Sequence, residues 1–391
     1  MKNDQPYKAF KLLTILKFIL ICAIVSAFFG NPFAIGAEPI IGAIRWDGWQ
    51  DTTDINTQTT AVLCPNRWHY RLPFFSQVTG SNSVVIHGNT QAIMDQEINY
   101  AANAGIDYWA FDIYSETPAP TSDFSGMSHG LHLYLNSTNK SRIKFVLDLQ
   151  GGHLAQTSGP WSNQITRYVN YFKDPSYQKV LGNRPLVYLF CRMDPFPMFT
   201  NAAAAAIAIK QLRVATTNAG LGNPYIVFQG WVASDDFKTL QEYGLDALGA
   251  YASGGGISYA SLAAQAHRFW EAGKATGANV VPIVGSGWDN RPFYETPVAI
   301  YPNASTNYTL PPTPVELANH LAEALDWTIS NHVSITPANT VLIYAWNEHS
   351  EGGWICPTLN PDGSTNSQRL AAIAKMLKSR TANHASPTSP R

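Results

Sequence analysis

Past residue 38 the chain alternates short runs of β-branched, aromatic and other apolar residues with longer stretches in which apolar positions recur every three or four residues. The first pattern is that of strands buried on both faces and the second that of helices with one apolar stripe, so their alternation predicts repeated βα units around a parallel sheet. Eight strand-like runs stand out, at 40–46, 107–113, 143–149, 185–191, 225–229, 247–251, 280–284 and 341–346. Eight such units close into a single (β/α)8 TIM barrel, an α/β fold that takes a chain of 391 residues as one domain.

The helices between them carry explicit start and stop signals. Thr313-Pro314-Val315-Glu316 offers an N-cap, a proline at the first helical position and a capping-box glutamate, followed by Leu317, Leu321, Ala324 and Leu325 on one face. Met94, Ile98, Ala101 and Ala102 repeat that spacing before Gly105 stops the helix, and Leu370, Ile373, Ala374 and Leu377 do so in the last one. Ile165, Val169 and Phe172 form a fourth stripe; 202–219 is favoured by alanine propensity with Gly220 as its stop, and 258–273 by length and composition. Helix-to-strand connections are short, whereas strand-to-helix connections are long, the largest at 47–88 and 285–312. In barrels the loops after the strands build the functional face, so function is expected at strand ends.

Three segments follow from the ends of the pattern. Lys2, Lys8 and Lys11 precede an apolar stretch at 12–29, then Pro32 and the small residues Ala34, Gly36 and Ala37, which together form an export signal over 1–37 with cleavage near Gly36 or Ala37. An uncleaved anchor is the alternative, with Lys17 near its edge; Ile21 stands where a lipid-anchor site needs a small residue before Cys22. The barrel occupies 38–380, and the Ser-, Pro- and Thr-rich end at 381–391 is expected to be disordered. Export makes the chain secreted or periplasmic, with no membrane insertion once the signal is removed.

Charge narrows the partners. The 26 basic and 27 acidic residues nearly cancel and form no run of one sign, so nothing favours nucleic acid or an anionic membrane, and a neutral substrate is expected. Without the leader only Cys64, Cys191 and Cys356 remain, enough for one bridge at most, and the histidines show no metal-ligand grouping, so neither a metal nor another cofactor is expected. Asn136, Asn139, Asn303 and Asn307 open N-x-S/T triplets. Oligomeric state has no signature in the sequence.

Aromatic and acidic residues gather at one level. Of 11 tryptophans, Trp46, Trp49, Trp68, Trp231, Trp288, Trp346 and Trp354 lie at the predicted strand ends or in the loops beyond them. Sugar rings stack their C–H faces on aromatic planes, although packing alone also places tryptophan there. Asp47, Asp112, Asp148 and Asp289 follow or end strands one, two, three and seven; an acid inside a buried strand is a site residue or part of an internal polar network. Asp107, at the opposite barrel face, is structural. Tyr114, Gln229, Tyr251 and Asn347 stand at strand ends, and His69 and Tyr70 in the long first loop are further candidates to line a cleft.

The most informative stretch is Tyr344-Ala345-Trp346-Asn347-Glu348-His349-Ser350-Glu351-Gly352-Gly353-Trp354, where strand eight ends in two glutamates three positions apart. Glycosidic cleavage needs an acid to protonate the departing oxygen and a second carboxylate to deliver or generate a nucleophile, although two surface loop acids would show the same spacing. The run from Asn347 to Pro357 resembles the N-E-W-H-E-G motif of glycoside hydrolase family 99, the endo-α-mannosidase and endo-α-mannanase family, and of family-99-like domains. Gly287-Trp288-Asp289-Asn290-Arg291-Pro292 is similar to the G-W-D-N-x-P segment of those domains, and Asn183-Arg184-Pro185-Leu186-Val187-Tyr188 to the family's fourth-strand opening. With 101–112 included, the resemblance runs in scattered motifs from about residue 40 to residue 377.

The resemblance implies a retaining mechanism in which a glutamate deprotonates the sugar's own 2-hydroxyl and a 1,2-anhydro sugar forms. Glu348 would be that base and Glu351 the acid, with Trp288, Asp289 and Arg291 holding substrate. The chain departs from the family at His349-Ser350, at Cys356, where a further acid is common, and in the first-strand region 43–49, so no particular sugar is implied. A conventional two-carboxylate glycosidase pairing Glu351 with Asp112 or Asp148, and a non-catalytic carbohydrate-binding barrel, are the alternatives. A glycosyltransferase is disfavoured because nucleotide sugars are scarce outside the cytoplasm.

Overall fold

Eight parallel strands ring the core of the computed structural model: β1 (Ile40–Arg45), β2 (Tyr108–Ile113), β3 (Lys144–Gln150), β4 (Arg184–Phe190), β5 (Tyr225–Gly230), β6 (Ala247–Ala250), β7 (Asn279–Val280 continuing as Ile283–Gly285) and β8 (Thr340–Tyr344). The structure describes residues 38–51, 53–114, 125–156 and 159–385; the expected leader at 1–37 and the end of the tail at 386–391 lie outside them. Each strand pairs with its neighbours in chain order, and β1 pairs with both β2 and β8. Ring closure falls to β7, which Pro282 divides: its first part pairs with β6 and its second with β8. Across the break Val281 N–H donates to Leu248 O and Leu342 N–H to Pro282 O, so the one residue without an N–H costs the ladder little.

Helices α1 (Gln91–Ala104), α2 (His129–Asn136), α3 (Trp161–Phe172), α4 (Ala202–Asn218), α5 (Ala233–Tyr243), α6 (Tyr259–Ala275), α7 (Pro314–Ser330) and α8 (Gln368–Ala385) each follow one strand. The sequence signals act where they were placed. Thr313 and Glu316 form the capping box of α7, whose Leu317, Leu321 and Leu325 are fully buried, each contributing about 1.5–3 kcal/mol relative to exposure. Gly105 ends α1 in the left-handed conformation. The last helix departs from expectation: it continues to Ala385, so 381–385, assigned to a disordered tail, are helical. Its apolar stripe on the barrel ends earlier, which is why composition alone placed the boundary too soon.

The first strand-to-helix connection is itself folded. It holds a helix (Asp54–Leu63), a 3-10 turn (Asn66–Arg71) and a hairpin of Ser76–Gly80 with Ser83–Ile86. Trp49, Val62, Leu63, Trp68, Leu72, Val84, Ile86 and Phe293 form a second apolar core beneath it, separate from the barrel core. This lobe covers part of the face where the strands end. Among the described residues no helix is long and apolar enough to cross a membrane, and Cys64, Cys191 and Cys356 are unpaired.

Candidate active site

Strand eight delivers its two glutamates through a turn fixed by backbone contacts. Asn347–Glu348 pairs antiparallel with Gly353–Trp354, and Glu351 N–H donates to Glu348 O at 3.2 Å. Gly352 has φ +82°, and a Cβ there would stand 2.7 Å from the Asp289 nitrogen; at Gly287 a Cβ would stand 2.1 Å from the Gly352 oxygen. The loops after β7 and β8 therefore touch backbone to backbone, and Asp289 N–H donates to Glu351 O at 2.6 Å. The glycines in G-W-D and E-G-G are required by this approach.

The first-loop lobe locks the same turn from the other side. His349 is buried and its Nδ1 lies 2.7 Å from Arg71 O; burial pushes its pKa down to about 3, so the ring is neutral and Nδ1–H is the donor. Its ring stacks on Trp354 at 5.7 Å. Arg71 donates to Asp289 Oδ2 at 2.6 Å and Arg291 to both Asp289 oxygens at 2.8 Å, all facing the aromatic rings of Trp68 and Tyr308. Burial would raise the Asp289 carboxyl, but the hydrogen bonds from Arg291 and the charge of Arg71 hold it below the usual carboxylate range.

Above this framework opens a cavity of about 330 Å³ walled by Trp46, Tyr114, Gln150, His153, Phe190, Trp231, Tyr251, Trp288, Phe293, Ile300, Tyr301, Glu348, Ser350 and Glu351. Seven of the sequence candidates meet there: Trp46, Tyr114, Trp231, Tyr251, Trp288, Glu348 and Glu351. Trp46 Nε1 donates to the Tyr114 hydroxyl at 3.2 Å, Tyr251 stacks on Phe190 at 4.1 Å, and Trp231, 48% exposed, stands edge-on to Trp288 at the rim. The wall is thus largely aromatic, with few polar groups placed among the rings, the composition of a site for a ligand with apolar faces and directed hydroxyls.

The two glutamates sit in different electrostatic settings. Glu348 is buried and accepts from the Tyr251 hydroxyl at 3.0 Å; burial, then Glu351 and Asp112, raise its carboxyl well above the usual range. Glu351 accepts from the Tyr344 hydroxyl at 2.6 Å and also hydrogen-bonds Tyr301, which in turn accepts from Asn290. Its carboxyl is enclosed while part of the side chain stays open to the cleft; burial lifts it to about 7, with both tyrosines pulling the other way. A carboxyl at that value exchanges a proton readily near neutrality.

The remaining candidates lie outside the cavity wall, which corrects their assignment to direct sugar contact. Asp112 and Asp148 face each other in register on β2 and β3 beneath Tyr251, and the Gln229 amide nitrogen lies 2.7 and 3.0 Å from the Asp148 oxygens. Trp346 is 0% exposed and donates to Glu97, itself paired with the buried Arg45. Asn347 turns away from the cleft: Trp46 N–H donates to its Oδ1 at 2.9 Å and its Nδ2 donates to Trp46 O at 2.6 Å, which sets the Trp46 backbone. Asp289 and Arg291 are taken up by the ion pair below the turn, and His69 Nε2 contacts Cys64 O at 2.9 Å within the first-loop lobe. For Asp112, Asp148, Gln229 and Trp346 the residue type is polar or aromatic at a strand end, but its side chain is buried in the interior.

Gln150, His153, Phe190, Phe293, Ile300, Tyr301 and Ser350 complete the wall without having been among the site candidates. Gln150 and Phe190 are last residues of their strands, which the strand-end rule could have flagged; His153 follows Gly151-Gly152, and Tyr301 comes from the long loop after β7. No local pattern marks either of the last two.

Against solved structures the chain is similar to the family 99 endo-α-mannosidase of Bacteroides thetaiotaomicron, at 14% identity over 88% of this chain and 98% of that one. The TM-score is 0.54 for its complex with bis-tris propane and 0.52 for a second structure of the same enzyme. The chain thus has a divergent family-99-like fold. No protein-family model matches it, and no curated protein does.

Proposed function

We propose that the chain is a glycoside hydrolase that cleaves a neutral poly- or oligosaccharide with retention, through participation of the sugar's 2-hydroxyl, with Glu348 as base and Glu351 as acid. The observation that carries this reading is that both glutamates of one rigid turn open into the same aromatic cavity, each held by a tyrosine hydroxyl. In the first step Glu348 takes the 2-hydroxyl proton, O2 bonds to C1, and the C1–O bond to the leaving group breaks as Glu351 passes its proton to the departing oxygen. In the second, Glu351, now a carboxylate, takes a proton from water as the water oxygen attacks C1, the C1–O2 bond breaks, and O2 regains its proton from Glu348. The proton balance returns both groups to their starting state.

Glu351 is suited to the acid role because its carboxyl holds a proton up to about 7, and the likeness to an endo-α-mannosidase makes α-mannosides the first substrates to try. Asp112 and Asp148 are poor partners for Glu351 because Tyr251 stands between them and the cavity. Export, read from the leader, would place this activity outside the cytoplasm.

Hydrolysis of a panel of neutral glycans and aryl glycosides tests the proposal. Glu348→Gln and Glu351→Gln each lose about 10²- to 10⁴-fold in rate, the usual worth of general acid or base help, while binding survives. An activated aryl leaving group partly rescues Glu351→Gln but not Glu348→Gln, and a 2-deoxy substrate fails with wild type. Full activity on the 2-deoxy sugar refutes the anhydro-sugar route; full activity of both variants removes the pair. Binding of the panel without any turnover would assign a carbohydrate-binding barrel instead.

A further inference from the structure

Glu348 acts as a base only if it is ionised, yet the groups that bear on it most strongly are Glu351, Asp112 and Tyr251, all acidic or neutral. The tyrosines of β2, β8 and the loop after β7, Tyr114, Tyr344 and Tyr301, also feel its charge, and Asp47 of the first loop and Asp148 of β3 bear on Asp112. Its hydrogen-bond donor is the Tyr251 hydroxyl, and that hydroxyl has two claimants: its oxygen is 3.0 Å from Glu348 Oε1 and 2.8 Å from Asp112 Oδ2. One phenol carries one proton, so it serves one carboxyl and turns a lone pair to the other.

Asp112 lies beside Asp148, its register partner on β3, and burial together with the Asp148 charge raises the Asp112 carboxyl, so the pair keeps a proton. Gln229 decides which keeps it. Burial raises Asp148 too, but with the Gln229 amide turned so that its nitrogen faces Asp148 it donates to the two oxygens at 2.7 and 3.0 Å, which favours the anion on Asp148 and leaves the proton on Asp112. Tyr251 then stands between a neutral carboxyl and a carboxylate, and a donor goes to the charged acceptor, where the bond is about twice as strong.

We propose that Asp112 is a positioning residue that holds the proton of the Asp112–Asp148 pair, donates it to the Tyr251 oxygen, and so leaves the Tyr251 hydroxyl to donate to Glu348. The inference rests on Glu348 being the base. It gives the two aspartates opposite behaviour. An asparagine at 112 reproduces the neutral donor, with its N–H₂ toward the Tyr251 oxygen. An asparagine at 148 removes the anion, so Asp112 ionises, draws the Tyr251 proton and leaves Glu348 without a donor.

The test is the acid limb of kcat/KM, which reports ionisation of the free enzyme's base, measured on an aryl glycoside from the panel. Asp148→Asn and Tyr251→Phe move that limb up by about one pH unit, the size of one lost charge-assisted hydrogen bond. Asp112→Asn leaves it in place, and adding Asp112→Asn to Asp148→Asn brings it back. The same order is read without substrate from ¹³C NMR titration of the Glu348 carboxyl, assigned by its loss in Glu348→Gln. A larger shift in Asp112→Asn than in Asp148→Asn, or no recovery in the double variant, overturns the inference. If those results come with Glu348→Gln inactive, the functional reading stands; if Glu348→Gln is fully active, the functional reading itself has failed.

Discussion

Glu351→Gln should make the protein more stable above pH 7 than wild type, and the gain should vanish in acid. Folding lifts the Glu351 carboxyl from 4.5 to about 7, because burial penalises its anion. A group whose folded value is raised contributes stability that is complete below its unfolded value and is lost as the pH climbs through the folded one, so the window here is about 4.5 to 7. At 1.36 kcal/mol per pH unit the rise from 4.5 to about 7 corresponds to about 3 kcal/mol, an upper figure because one side of the residue meets the open cleft. Glutamine cannot ionise and keeps the shape, so it escapes this loss. Urea unfolding of wild type and Glu351→Gln at pH 5 and pH 8 measures it: the difference in unfolding free energy should shift by about 2 kcal/mol in favour of the variant between the two. An equal difference at both pH values would refute the premise that folding raises this carboxyl and, with it, the electrostatic case for Glu351 as acid.

Other outcomes follow from the same framework. Arg71→Met leaves Asp289 with Arg291 alone and frees the first-loop lobe from the β7 and β8 loops; thermal or urea unfolding should register a loss of about 2–4 kcal/mol, near the range for breaking a buried pair. Gly352→Ala should cost about 1–3 kcal/mol and lower activity more than stability alone accounts for, since the new Cβ meets the Asp289 backbone and shifts Glu351; wild-type kinetics in a folded variant would contradict this. Exported protein should begin near Ala37 or Glu38 on N-terminal sequencing, and a product keeping residues 12–29 in the membrane fraction would establish the anchor instead.

The barrel was legible because its signals are local and periodic. Apolar runs at 40–46 and 107–113 could be read without partners, and the caps at Thr313 and Gly105 act within one turn of chain. Two features escaped for physical reasons. The lobe between β1 and α1 draws its core from Phe293 of a distant loop as well as its own Trp49 and Trp68, so no window of sequence shows its apolar pattern whole. Trp346 and Asn347 were placed in the cleft because they flank Glu348. The strand ends at Tyr344, however, and the chain turns before Asn347–Glu348 pair with Gly353–Trp354, so the period of two does not carry across and Trp346, two residues before Glu348, reaches Glu97 instead of the cavity.

Shared protons explain why the acids, more than the aromatics, required the structure. An exposed rim tryptophan such as Trp231 contacts a ligand or does not, and its position near a strand end decides most of it. A carboxyl at the same level has a third option: it can act on another carboxyl through a shared proton. Asp112, Asp148, Glu348 and Glu351 look equivalent in sequence, each an acid at or just past a strand end. What separates them is the donors that reach them, among them Gln229 for Asp148, Tyr251 between Asp112 and Glu348, and Tyr344 for Glu351. Those donors come from β5, β6 and β8, so the protonation pattern of the site depends on ring closure and on no single motif. Changes to donors, as in Tyr344→Phe, should therefore redistribute protons among the four acids, whereas changes to the rim should alter affinity alone.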